Sequence, residues 1–160
     1  MAPHPSKQAL KEELCRHLEA ELTTLERALD AAREGATHEE AKPENDKDTR
    51  ALEASYLARG QASRVVELRT GLAEAQALPV GAFGARPIAL GALVTAEEKD
   101  EEILLLLAPA GGGTRLAQGT VQVVTPKSPL GRALLGKHAG DDCEVALSGK
   151  TRALSIVRID

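Results

Sequence analysis

The chain has 160 residues, a formal net charge of −4 and a pI near 5.6, so it is no basic coat for nucleic acid, and contact with DNA or RNA has to be local or made through a partner. It contains one Phe (Phe83), one Tyr (Tyr56) and no Trp, whereas a compact core of this length ordinarily uses several rings because each buries a large apolar area. A thin core follows: a seam of Leu and Ala plus a small sheet.

Ser6 is placed to cap a first helix. Beyond it Leu10, Leu14, Leu18, Leu22, Leu25, Leu29 and Ala32 recur at steps of three and four, one stripe of an amphipathic helix. Gly35 offers that helix a stop. A polar stretch, Thr37 to Asp48, contains Pro43, which suits the first turn of a second helix because its missing N–H costs nothing there. The second stripe is Ala51, Ala54, Ala58, Ala62, Val65, Leu68, Leu72 and Ala75. A Leu-rich seam facing an Ala-rich one lets two helices approach closely as an antiparallel coiled-coil hairpin. A helix from Pro43 to Leu78 would be roughly 50 Å long at ~1.5 Å per residue, and is expected to project.

Pro79 to Pro87 breaks the pattern and reads as a linker. From there the period changes. Ile88–Thr95, Glu102–Ala108, Thr120–Thr125, Cys143–Ser148 and Ala153–Ile159 read as five strands. Gly111-Gly112-Gly113 is a flexible turn, and Ser148-Gly149-Lys150 a tight hairpin turn. Ser128-Pro129-Leu130-Gly131-Arg132-Ala133-Leu134-Leu135-Gly136 has a Ser cap, Pro at the first helical position and a closing Gly, hence a short helix. The expected fold class is α+β in two domains: a hairpin over 1–78 with its tip about 36–48, a linker over 79–87, and a β-rich domain with one short helix over 88–160. Cys15 and Cys143 are far apart, which points to a reducing compartment rather than a disulfide framework. The polar start of the chain and the shortness of its longest apolar run, Ile103–Ala108, lead us to expect a soluble cytoplasmic protein with no membrane partner.

The segment Val124-Thr125-Pro126-Lys127-Ser128-Pro129-Leu130-Gly131-Arg132-Ala133-Leu134-Leu135-Gly136-Lys137, then Gly140-Asp141-Asp142, resembles the C-terminal signature of the Gre family of bacterial transcript-cleavage factors. Lys11-Glu12-Glu13-Leu14 and Ala31-Ala32-Arg33-Glu34 are similar to the start and end of that family's first coiled-coil helix. The resemblance implies an FKBP-like C-terminal domain that docks on the rim of the RNA polymerase secondary channel. It implies that Ser128, Pro129, Arg132 and Lys137 meet the polymerase, and that the coiled coil enters the channel as a monomer. Acids at its tip would help hold a second Mg²⁺ that activates water to cut the 3′ end of backtracked RNA, the nascent RNA being contacted only indirectly. The factor would have no active site of its own, since Mg²⁺ bound through one or two carboxylates keeps several waters and relies on the enzyme that supplies the rest of the site.

Family tips carry Asp-x-x-Glu-Asn followed by an acid and a Tyr. Here Glu44-Asn45 matches, but Ala41 stands at the Asp position and the segment is longer. By motif Glu44, and by position Asp46 and Asp48, are the candidate catalytic and Mg²⁺-holding residues. Acids in a helix's first turn are also favoured by the macrodipole alone, each by ~0.3–1 kcal/mol. A channel-binding modulator without cleavage activity therefore stands as the alternative. His38-Glu39-Glu40 is no zinc motif, and His4, His17 and His138 read as surface residues. Tyr56 is expected to pack within the hairpin, and Arg50, Arg59, Arg64 and Arg69 to lie on a solvated surface. A stand-alone prolyl isomerase is disfavoured, because such sites are lined by rings and none follows Arg86.

Overall fold

A computed structural model describes residues 4–40 and 49–160. The chain divides into two compact units, Leu18–Thr70 and the pair Met1–His17 with Gly71–Asp160. Long helices in the first half and a mixed sheet with one short helix in the second give the expected α+β class.

Helix α1 spans Lys7–Glu40 and α2 spans Thr49–Gln76. Ser6 caps α1: its Oγ accepts from the Ala9 N–H at 3.1 Å and its carbonyl from the Leu10 N–H at 3.0 Å. In the Leu18–Thr70 unit the stripes face inward, with Leu18, Leu29 and Val65 buried. Two cross-helix ion pairs flank them, Arg64 with Glu21 at 3.2 Å and Arg69 Nε with Glu26 at 3.0 Å. Arg64 and Arg69 were expected on a merely solvated surface. They are exposed, but they staple the hairpin, each such pair adding ~0–1 kcal/mol.

Two helix expectations are corrected. Gly35 does not stop α1, which runs five residues further; Gly35 does not take the left-handed conformation a C-terminal stop requires. Tyr56 does not pack in the hairpin, being 68% exposed. It lies nine residues from buried Val65, half a turn round α2 at ~100° per residue. The expected second-helix start, 43–48, lies outside the described residues.

The other unit contains six strands: β1 (Leu93–Glu98), β2 (Glu101–Leu107), β3 (Arg115–Leu116), β4 (Val121–Val124), β5 (Asp142–Leu147) and β6 (Lys150–Ile159), with α3 (Pro129–Leu134) between β4 and β5. Their order is β3-β4-β2-β1-β6-β5, antiparallel except for β2 with β4. Val94, Ala96, Leu105, Leu107, Leu154 and Ile156 share one face and form the core with Leu130 and Leu134 of α3. Leu93, Leu106, Val121 and Val123 are buried on the opposite face. The first turns of α1 are fixed in this unit by the Glu13 carboxylate, which accepts from the Ala117 N–H at 3.0 Å.

The first strand begins at Leu93, not Ile88. Ile88 is buried, but its N–H donates to the Lys137 carbonyl at 2.8 Å and its carbonyl accepts from Gly136 at 2.9 Å, so its backbone is committed to the end of α3. β3, only two residues long, is additional to the five expected strands. The Ser148–Gly149 turn closes β5 onto β6 with both residues at positive φ, 47° and 78°.

Candidate functional site

The residues matched to the family signature form one structure around α3. Ser128 takes an extended conformation at the helix N-cap; its Oγ accepts from the Gly131 N–H at 3.0 Å and donates to the Thr125 carbonyl at 2.8 Å. Pro129 follows in the first turn, where no N–H is needed. Gly131 is required by close approach: a Cβ there would stand 1.8 Å from the Thr125 carbonyl oxygen. Leu130 and Leu134 enter the core, while Pro129 and Arg132 face outward. The Arg132 guanidinium reaches back to the Lys127 carbonyl at 2.9 Å. After the helix, Gly136 turns at φ 79° and half-buried Lys137 follows, its carbonyl held by Ile88.

Of the four residues assigned to partner contact, Ser128 thus has its hydroxyl engaged in the cap, whereas Pro129 and Arg132 are available at the surface. Beside them are exposed Lys127 and Leu135. Lys127, Arg132 and Lys137 place three cations on and beside α3, with Asp141 and Asp142 in the turn that follows. Buried Cys143 lies on the adjoining strand; burial pushes its thiol up, Lys137 pulling it down and Asp142 adding to the rise. It is a packing residue rather than a nucleophile.

Glu44, Asp46 and Asp48 lie outside the described residues. Among the described residues no three His, Cys, Asp or Glu side chains are grouped to hold a metal ion, and no helix is long and apolar enough to cross a membrane.

A second assembly had no sequence signal beyond two lysines four residues apart. Lys7 Nζ donates to the carbonyls of Gly81 at 2.6 Å and Gly91 at 3.0 Å, and Lys11 Nζ to the Leu78 carbonyl at 3.0 Å. The Lys7 ammonium lies 4.7 Å from the centre of the Phe83 ring, and the Arg86 guanidinium lies 4.6 Å from it. Burial lowers the Lys7 pKa, Asp160 opposes the shift and Arg86 adds to it. The 79–87 segment is therefore tied to the first turn of α1 through the Gly81 carbonyl and its one ring, and its flanks through the Leu78 and Gly91 carbonyls.

Residues 86–160 match the family model described as the C-terminal part of transcription elongation factor GreA/GreB. The GreA of Magnetococcus marinus is 31% identical over 153 residues, 95% of this chain and 91% of that protein. The GreA of Brucella anthropi is 32% identical over 152 residues, 94% and 90% of the two chains. A shorter match, to the GreA of Hyphomonas neptunium, is 31% identical over 99 residues and takes in 60% of each chain. The crystal structure of GreA factor homolog 1 of Thermus thermophilus aligns over 91% of this chain and 94% of that one, at 20% identity and a TM-score of 0.40, a likeness too loose to carry any detail across. With relatives above 30% identity along nearly its whole length and the signature segment built as one capped helix seated on the core, this chain belongs to the GreA/GreB family of transcription elongation factors.

Proposed function

We propose that this chain binds RNA polymerase at its secondary channel and stimulates the polymerase's own cleavage of backtracked RNA 3′ ends. The observation that supports docking most is the α3 surface. A helix pinned by Thr125 at one end and Ile88 at the other holds Pro129, Arg132 and Lys127 outward at fixed spacing, so little side-chain and backbone ordering is left to be lost on binding. Arg132 and Lys137 suit an acidic partner surface.

The cleavage half of the reading rests on the segment between α1 and α2. Glu44, Asp46 and Asp48 are hard oxygen donors of the kind Mg²⁺ takes, and a Mg²⁺ ion shared with the polymerase would supply Lewis acidity and an activated water. What the chain itself contributes is carboxylate charge at the end of a hairpin stapled by Arg64–Glu21 and Arg69–Glu26. No catalytic centre of its own is assigned to it.

Ala41 at the position of the family's tip Asp favours a second reading: a channel-binding modulator that does not stimulate cleavage. A reconstituted backtracked elongation complex separates the two. Cleavage stimulation requires faster shortening of the RNA 3′ end on adding the protein. A modulator leaves that rate unchanged, slows RNA synthesis, and competes with an authentic cleavage factor.

A further inference from the structure

The first turn of α1 holds an amine among carbonyls and beside a second cation. Half-buried Lys7 donates to two carbonyls, Gly81 at 2.6 Å and Gly91 at 3.0 Å, and forms no third hydrogen bond with a described residue. Its ammonium and the Arg86 guanidinium share the Phe83 ring, at 4.7 and 4.6 Å from the centre. Neither cation forms an ion pair with a described residue. Arg86 donates to the carbonyls of Phe83 and Ala82 through Nε and one Nη, so most of the fork's donors stay free. The Asp160 carboxylate, which opposes the fall in the Lys7 pKa, is itself bound to Arg158 at 2.7 Å.

We propose that Lys7 is an acylation site that takes its acyl group from an acyl phosphate. An ordinary surface lysine is a poor nucleophile near neutral pH because it is almost wholly protonated. Burial, with Arg86 adding to it, moves Lys7 toward the free amine. The proton it sheds is the one that no carbonyl holds, so the amine keeps both hydrogen bonds and gains a lone pair for attack. The Arg86 guanidinium, planar and with donors to spare, suits the phosphate of the donor. In the step the Lys7 nitrogen attacks the acyl carbon and the bond from that carbon to the phosphate oxygen breaks. Inorganic phosphate leaves with the electron pair and takes the surplus amine proton. The product is a neutral amide with one N–H where two carbonyls were held, and with no charge beside the ring. Acylation thereby loosens the tie between the 79–91 segment and the first turn of α1. Nothing in this chemistry depends on polymerase binding or on RNA cleavage.

The probe is acetyl phosphate, incubated with the full chain while each lysine is followed by peptide mass spectrometry. Exposed Lys127 and Lys150 serve as internal references. Lys7 should be acetylated several-fold faster than either. Arg86→Gln should slow Lys7 about threefold and leave both references unchanged, and that effect should shrink with an uncharged acetyl ester as donor. A Lys7 rate no greater than the references overturns the proposal. So does an Arg86→Gln effect as large with the ester as with acetyl phosphate, which would leave an activated amine without a place for phosphate. The release is read by amide hydrogen exchange over 79–91, which should quicken several-fold in Lys7→Gln and stay near wild type in Lys7→Arg. Exchange unchanged in Lys7→Gln overturns the loosening that acylation is held to cause.

Discussion

Arg152 on β6 grips Glu98 at the end of β1 with two parallel bonds, Nε to Oε1 at 2.8 Å and Nη2 to Oε2 at 2.7 Å. The pair explains how an acid-rich hairpin is tolerated. Across it Glu97 faces Glu102 and Glu98 faces Glu101, like-charge neighbours that destabilise an antiparallel pair. A bidentate guanidinium on the adjoining strand offsets part of that repulsion.

Replacing Arg152 by Met should therefore lower stability by about 1 kcal/mol at neutral pH, read as a shift in urea midpoint. The hydrogen bond from Arg152 is the main cause that holds the Glu98 carboxyl below its usual range. A depressed carboxylate contributes stability above its unfolded pKa, near 4.3, and loses it as pH falls through the lower folded value. The gap between wild type and Arg152→Met should be full at pH 7 and close in acid below the ordinary glutamate range. A gap that persists there would mean the arginine acts through packing alone.

Two glycines should respond in opposite directions. At Gly131 a methyl group would collide with the Thr125 carbonyl, 1.8 Å away. Gly131→Ala should cost about 3 kcal/mol or more by forcing α3 off its seat. At Gly35 nothing lies within 4 Å and the backbone is helical, so Gly35→Ala should raise stability by about 0.5–1 kcal/mol. Thermal unfolding of both variants checks the signs.

The cap of α3 is testable separately. Ser128→Ala removes the acceptor for the Gly131 N–H and the donor to Thr125, which should cost about 1 kcal/mol. Ser128→Asp restores an acceptor but not the donor, and should recover part of that loss in the same denaturation assay. Polymerase affinity should follow the order wild type, Asp, Ala if α3 is the docking element.

These cases show where the sequence was legible. The Leu10–Leu29 stripe, the Ser6 cap and the Ser128-Pro129 helix start were readable because each is a local device, fixed by spacing or by one side chain over one turn. Gly35 misled, because a glycine ends a helix only where the following chain turns left-handed, and here the helix continues. Ile88 looks like strand but spends its N–H and carbonyl on the end of α3, a partner some fifty residues on that periodicity cannot reveal. Tyr56 is exposed although packing within the hairpin is the expectation; its helical phase, nine residues from Val65, points outward. The Lys7–Phe83–Arg86 assembly is tertiary and left no local trace. The capped α3 helix is legible in the Ser128–Lys137 motif, whereas its contact with a partner and the acids of the tip rest on motif and position alone.

The central claim is that the tip acids promote RNA cleavage by a polymerase the chain occupies. It is tested most directly by single-turnover cleavage of a defined backtracked complex with the wild-type protein and with a Glu44→Ala, Asp46→Ala, Asp48→Ala variant, polymerase binding being measured for both. The predicted result is stimulated cleavage by the wild type, a loss of at least tenfold in the variant, about 1.4 kcal/mol of barrier, and equal binding by the two. Equal cleavage rates with wild type, variant and no added factor would contradict it.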